Sequence, residues 1–344
     1  MNGEHNGNNY HNDPDTSRPS ALYKPTKPRP HTLSVAIPIS IIHNSKRKLE
    51  LRTALASTIA RALSVFSVDE IVLFDDGDCE PSNNTPSSQR YPGPESTKLT
   101  AFTHPGHFLA MILSYLETPP FMRGRLFPMH ENLAKAGIMA SLDLPSHLRA
   151  TEWCEYREGI SVRTAREGTY VDCGLVSQRL VRGVEIPTGT RVTLRLDDQN
   201  GGEAEAVGPM VPREEGGYYW GYTVREAASL SAVFTECVWE GGYDLSVGTS
   251  ERGEEVGRVV EGILGDEERR EWKHLVLVFG GVKGLEEAAR NDEELVRMGI
   301  GKGNVRELFD YWVNLLPGQG SRTIRTEEAL WMGLMATRRL VDER

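Results

Sequence analysis

Two hydrophobic rhythms alternate along this chain, and the points where one gives way to the other limit the folds open to it. Residues Leu33 to Ile39 form a short β-branched run in which Pro38 marks an end or an edge position. Leu51, Leu55, Ile59 and Leu63 then recur at helical spacing, and Asp69 to Phe74 has a buried-strand pattern stopped by Asp75, Asp76 and Gly77. Strand, helix and strand in that order predict a βαβ unit with a parallel sheet. Residues 107–116 and 130–142 read as helices.

From about Trp153 the rhythm changes. Short runs at Gly159 to Val162, Thr169 to Val171, Arg191 to Leu196 and Tyr218 to Val224 are separated by Gly and Pro turns. Strands at that spacing predict a small closed barrel, and the oligonucleotide-binding type is the commonest of that size. After residue 230 the α/β rhythm resumes. A helix over 226–236 precedes strands at Tyr243 to Val247 and His274 to Phe279, a helix starting near Leu285, and a last helix from Thr326 to Leu340. The expected organisation is a disordered polar tail over 1–30 and an α/β domain split into 31–150 and 226–344. The barrel is inserted over 151–225. A Ser/Pro/Asn/Gly-rich stretch over 78–98 reads as a surface loop, and the acidic stretch Glu251 to Glu271 as a solvated loop or surface helix.

Composition removes several function classes. Hydrophobic content is 39% and no apolar run reaches the roughly 18 residues of a membrane span, so no membrane partner is expected. The polar start lacks the apolar core of a signal peptide, which leaves cytoplasm or nucleus. Cys79, Cys154, Cys173 and Cys237 lie far apart with no C-x-x-C pair, so they read as reduced thiols and no metal site is expected. A net charge of −10 argues against nucleic-acid binding by bulk positive charge. Any RNA contact needs local basic groups, and the candidates are Lys46, Arg47, Lys48 and Arg52, with Arg123, Arg125, Arg163, Arg166, Arg179 and Arg182 around the insert. Tyr218, Tyr219, Trp220 and Tyr222 could stack bases, although strand alternation sends some of them inward. His104 and His107 read as structural.

Three Gly-rich loops crowd the C-terminal third. Val247 to Gly253 and Phe279 to Gly284 each follow an expected strand, where ligands bind in open α/β sheets and glycine lets the backbone approach them. Asn314 to Ala329 runs into the last helix, with Thr326 as a plausible N-cap and Glu327 and Glu328 in the first turn. Gly299 to Gly303 follows a helical stretch and reads as a C-cap or turn. No G-x-G-x-x-G follows the first strand, where Val35 to Ser40 leads into Ile-Ile-His-Asn-Ser. With no Walker motif and no H-E-x-x-H either, the dinucleotide, P-loop and metalloprotease readings lose their support.

The succession Gly-Thr-Ser, Phe-Gly-Gly and Leu-Pro-Gly-Gln-Gly-Ser-Arg-Thr-Ile-Arg-Thr-Glu-Glu-Ala resembles the three cofactor loops of SPOUT (α/β-knot) methyltransferases. It is most similar to the archaeal and eukaryotic RNA methyltransferase family with an oligonucleotide-binding-like barrel inserted in the knot domain, over most of residues 31–344. Its last loop resembles that of the branch that methylates uridine N3 in ribosomal RNA. The resemblance implies a trefoil knot, a homodimer, S-adenosyl-L-methionine as cofactor and structured RNA, with ribosomal RNA expected, as partner. A ribosomal substrate favours the nucleolus. Carried onto this sequence, the cofactor would be surrounded by Thr249, Gly280, Gly281, Asn314, Leu316, Gln319, Gly320, Ser321, Ile324, Thr326 and Ala329. A uracil N3–H or a ribose hydroxyl is a poor nucleophile until deprotonated, so a guanidinium favouring the anion is expected near the acceptor. Arg325 and Arg322 are the catalytic candidates, with Glu327 or Glu328 as possible base and helix N-terminal charge as the alternative role. A second reading keeps the knot fold as an RNA-binding scaffold without activity.

Overall fold

The computed structural model describes residues 25–43, 47–78, 99–198 and 201–342. Most of the expected tail, Lys46, Cys79 and nearly all of the 78–98 insertion lie outside the described residues. Residues 25–30, assigned to the tail from sequence, are docked: Arg29 pairs with Asp69 at 2.5 Å and its backbone N–H donates to the Arg213 carbonyl.

The chain opens with strand β1 (Thr32–Pro38), helix α1 (Leu49–Val65) and strand β2 (Glu70–Phe74). Every residue of both strands is buried, as expected of parallel strands covered on two faces. Helices α2 (Pro105–Glu117) and α3 (Pro120–Leu126) follow. The expected helix over 130–142 is instead two 3-10 turns, Glu131–Leu133 and Ala136–Ile138. Buried Asn132 explains the difference: its side chain accepts from the Ala101 N–H and donates to the Leu99 carbonyl, so it serves the neighbouring loop rather than a helix.

The insert is a closed five-stranded barrel. Its strands are β3 (Tyr156–Ala165), β4 (Gly168–Asp172), β5 (Arg179–Arg182), β6 (Arg191–Arg195) and β7 (Glu203–Val207), in the order β3-β4-β5-β7-β6. A small core of Val171, Cys173, Val181, Leu194 and Leu196 fills it. The run Tyr218 to Val224 does not join this barrel. After the short helix α4 (Val211–Glu214), strand β8 (Thr223–Ala227) adds to the edge of the α/β sheet, where Thr223 faces Glu70 and Ala227 faces Phe74. Trp220 and Tyr222 are buried and the Tyr219 hydroxyl donates to the Val68 carbonyl, so these rings pack and do not offer faces to bases.

The α/β pattern then resumes with helix α5 (Leu230–Thr235), strand β9 (Leu245–Glu255) and helices α6 (Val256–Gly265) and α7 (Glu267–Arg270). Strand β10 (His274–Val278), helices α8 (Gly284–Asn291) and α9 (Glu293–Arg297), strand β11 (Tyr311–Asn314) and helices α10 (Thr326–Ala336) and α11 (Arg338–Asp342) complete the chain. The acidic stretch is less solvated than its composition suggests, because α6 buries Val256, Val259, Val260 and Ile263.

All six strands of the main sheet are parallel, in the order β11-β9-β10-β1-β2-β8. One face packs against α1, α2, α6 and α10 and the other against α5 and α8, so the sheet is buried on both sides. The α/β domain interrupted by a closed barrel is thus the architecture expected from the sequence. From β11 the chain leads into α10, which is fastened to the end of β10 by a Thr326 bond to the Gly280 carbonyl and by Gly333 against the Phe279 ring.

The barrel and the α/β domain are joined by a partly buried ionic cluster. Arg191 of β6 reaches Glu117 at the end of α2 at 2.6 Å and Glu158 of β3 at 2.5 Å. Thr193 and the Trp220 indole donate to the other Glu158 oxygen, so neither carboxylate is left bare.

Candidate functional site

The carboxyl ends of β9, β10 and β11 are where the Gly-rich loops meet, and local geometry explains how. The first is not a simple turn after a strand. Strand β9 pairs with β11 at Gly248 opposite Trp312, skips, and resumes with Glu254 opposite Val313, so residues 249–253 bulge out of a strand that continues to Glu255. Gly253 sits so close to the Val313 and Asn314 backbone that a Cβ would overlap it. The bulge is tied at both ends: Thr249 donates its hydroxyl to the Val278 carbonyl at 3.2 Å, and the Asn314 amide donates to the Glu251 carbonyl at 2.8 Å.

The second loop leaves β10 through Gly280 and Gly281. A Cβ on Gly280 would come 2.8 Å from the Leu285 amide nitrogen, so only glycine allows α8 to start this close. The third loop is closed by Asn314, whose side-chain oxygen accepts from the Leu316 N–H at 3.0 Å. The N-cap of α10 is Arg325, in an extended conformation, with its N–H donating to Glu328 at 2.9 Å. Thr326, expected as the cap, is the first helical residue, and its hydroxyl donates to the Gly280 carbonyl at 3.0 Å. That bond ties the third loop to the second.

Between the loops lies a cavity of about 240 Å³. Thr249, Gly280, Gly281, Asn314, Gln319, Ile324, Thr326 and Ala329 line it. Leu316, Gly320 and Ser321 are exposed and outside its wall, and Leu315 points inward where Leu316 was expected. The turn geometry decides between the two leucines, which no sequence pattern does. Arg322 and Arg325 are not in the wall either. Arg325 stands beside it, largely exposed, with Glu327 at 3.9 Å.

Sequence reasoning missed the charged part of the wall. Glu286, in the first turn of α8, accepts from the Ser250 hydroxyl at 3.1 Å and lies 3.6 Å from Arg252. Lys283 pairs with Asp78 at 2.7 Å, and Lys302 comes from the Gly299 to Gly303 turn, which sequence placed away from any site. Glu286 lies in the Gly-Leu-Glu that follows the second loop, so proximity to that loop could have flagged it; nothing local marks Lys302. Among the described residues, no group of three or more His, Cys, Asp or Glu side chains could hold a metal, and no helix is long and apolar enough to cross a membrane. Cys154, Cys173 and Cys237 are free thiols.

The basic candidates divide. Arg52 is buried, bonded to the Ala101 carbonyl and lying over the Phe102 ring. Arg179 is buried in the barrel, and Arg123 donates to the Thr118 and Leu116 carbonyls. These three hold structure. Arg163, Arg166 and Arg182 are exposed on the barrel, Arg182 paired with Glu203 and Arg163 lying over Tyr170.

The fold and the three-loop cavity coincide with a family assignment. The family described as "Putative RNA methyltransferase" matches residues 32–337, nearly all of the described chain. The chain belongs to this family. Among its relatives, the human protein named 28S rRNA (uridine-N(3))-methyltransferase is 42% identical over 326 residues, covering 92% of this chain and 80% of the relative. The Drosophila melanogaster protein of the same name is 41% identical over 316 residues, and the mouse protein 42% over 316. These cover 90% of this chain, and the chain spans 62% of the Drosophila protein's length and 76% of the mouse protein's. For this methyltransferase-family chain, the cavity at the carboxyl edge of β9, β10 and β11 is the candidate active site.

Proposed function

We propose that the protein transfers a methyl group from S-adenosyl-L-methionine to N3 of a uridine in large-subunit ribosomal RNA. One observation carries the reading: three separate loops converge on one cavity in a chain 42% identical, over 92% of its length, to a 28S rRNA (uridine-N(3))-methyltransferase. The walls suit the cofactor. Leu315, Ile324 and Ala329 offer apolar surface to a purine, Thr249, Gln319 and Thr326 offer hydrogen-bonding groups, and Glu286 can face a hydroxyl or an ammonium group. The cofactor supplies an electrophilic methyl group on a sulfonium. The chain must align the acceptor for in-line displacement and stabilise it as it becomes an anion. Arg325, with Arg322 three residues before it, can supply positive charge at the mouth of the cavity, and Glu327 and Glu328 hold Arg325 and the start of α10 in place.

Arg163 and Arg166 on the barrel provide local positive charge that the acidic chain as a whole lacks. A substrate in the large ribosomal subunit would favour work in the nucleolus. The outer face of α10 shows Trp331 and Met335, with Leu316 also exposed, and is the surface on which a second copy would pack to form a homodimer.

Calorimetric titration with S-adenosyl-L-methionine, followed by transfer of a tritiated methyl group to a 28S rRNA transcript, tests the reading. The wild type should bind in the micromolar range and methylate uridine N3. Ile324→Glu, which places a charge in the apolar wall, should abolish binding. Arg163→Ala with Arg166→Ala should lower transfer and leave cofactor binding unchanged. A folded wild type that neither binds the cofactor nor methylates the transcript would overturn the reading.

A further inference from the structure

Immediately behind the second loop, a buried carboxylate is placed in a way that the fold does not require. Asp76 follows the carboxyl end of β2 and Ser40 follows that of β1, so both stand at the sheet edge beside the cavity. The Ser40 hydroxyl donates to Asp76 Oδ2 at 2.5 Å. Gly281, which lines the cavity, lies directly against the pair: a Cβ there would lie 2.9 Å from Ser40 Oγ and 3.0 Å from Asp76 Oδ2. Ser40 is half-buried, whereas Asp76 is 5% exposed.

The surroundings of Asp76 are wrong for a structural carboxylate. Its Oδ1 is buried and has no hydrogen-bond partner among the described residues. The charged groups around it are Asp75 and Asp78 on its own loop, and the nearest cation from the second loop, Lys283, is engaged by Asp78. The Asn291 side chain, from α8, donates to its backbone carbonyl and not to its carboxylate. Buried carboxylates are normally paired with a cation, and one held only by a serine hydroxyl and its own backbone N–H, with one oxygen left bare, is a functional candidate. Burial, with the two neighbouring aspartates, pushes its pKa up to about 6, which makes it a stronger base than an ordinary carboxylate.

We propose that Ser40 and Asp76 form the acceptor-side proton relay of this site, the Ser40 hydroxyl taking the N3 proton of the target uracil as its own proton passes to Asp76. The inference rests on the uridine-N3 reading above. The N3–H bond breaks and its electron pair stays on N3. That pair forms the N3–methyl bond as the carbon–sulfur bond breaks with its pair to sulfur. Ser40 ends neutral and Asp76 ends protonated, to be deprotonated by water once the site opens. Ser40 is the group that touches the base, and Asp76 acts through it.

Single-turnover methyl transfer to the 28S rRNA transcript, followed from pH 5 to 9 beside cofactor calorimetry, tests the relay. For the wild type the rate should rise with pH through a limb near pH 6, as Asp76 ionises. Asp76→Asn should lower the rate roughly 100-fold and remove that limb, and Ser40→Ala should lower it comparably. Ser40→Thr, which keeps the hydroxyl, should recover much of the rate. Cofactor affinity should be unchanged in all three, which a collapse of the second loop would not allow. Ser40→Ala and Asp76→Asn variants with wild-type rates and an unchanged pH profile would overturn the relay alone. A wild type inert on uridine N3 would overturn the proposed function, and the relay with it.

Discussion

Asp76 carries its own stability test. An isolated carboxyl group titrates near 3.8 and this one near 6, about two units higher, with desolvation as the main cause. The shift means that the folded state holds its proton more tightly than the unfolded chain. Below about pH 3 both states are protonated and the group is neutral in its effect; above about pH 7 both are ionised and the native state bears the full penalty of a buried charge, about 3 kcal/mol. Asp76→Asn should therefore stabilise the protein at pH 7.5 by up to about 3 kcal/mol, with the gain shrinking to nothing as pH falls to about 3. Urea unfolding at both pH values checks this. A variant less stable than the wild type at pH 7.5 would show that the carboxylate contributes structure. Other residue-scale surprises have the same origin in burial: Arg52 and Arg179 look like surface cations in the sequence and are internal braces in the fold.

At the scale of elements, the sequence marked where the loops are but not how they are held. The glycines of the first two loops are legible because each follows a short strand-like apolar run. That β9 continues to Glu255, with residues 249–253 looped out against β11, depends on a pairing between segments some sixty residues apart. Likewise Thr326 has the sequence context of an N-cap, and its hydroxyl goes to Gly280 because tertiary packing brings that carbonyl within reach. The seat of α10 is equally specific. A Cβ on Gly333 would lie 2.9 Å from the ring of Phe279, the residue just before Gly280. In an isolated helix Gly333→Ala would gain about 1 kcal/mol; here overpacking against a buried ring should outweigh it and destabilise by about 1–2 kcal/mol. The same displacement should weaken cofactor binding. Stabilisation in denaturant titrations, or unchanged affinity, would contradict the tight seating of α10.

For the whole molecule, the proposed second copy can be tested directly. Met335 is 67% exposed and Trp331 38% exposed on one face of α10, an arrangement that leaves apolar area in water unless another chain covers it. Met335→Asp should convert a dimer into a monomer in light scattering coupled to size-exclusion chromatography, without unfolding either domain. A wild type already monomeric at micromolar concentration would remove the homodimer from the proposal. The barrel, in contrast, is tied within the chain, through the Arg191 bridge to Glu117 and Glu158.

Periodicity and glycine placement alone determined the class of the fold, the existence of the inserted barrel and the positions of the three loops, because these depend on short-range patterns of burial and turn geometry. The resemblance carried by those loops pointed to the family. Tertiary structure alone decided that Tyr218 to Val224 leads into the main sheet, that Leu315 and not Leu316 faces the cavity, and that Lys302 joins its wall. It also set Ser40 and Asp76 together against Gly281. These are contacts between residues distant in the chain, and no local pattern of hydrophobicity or charge encodes which distant partner a side chain will meet.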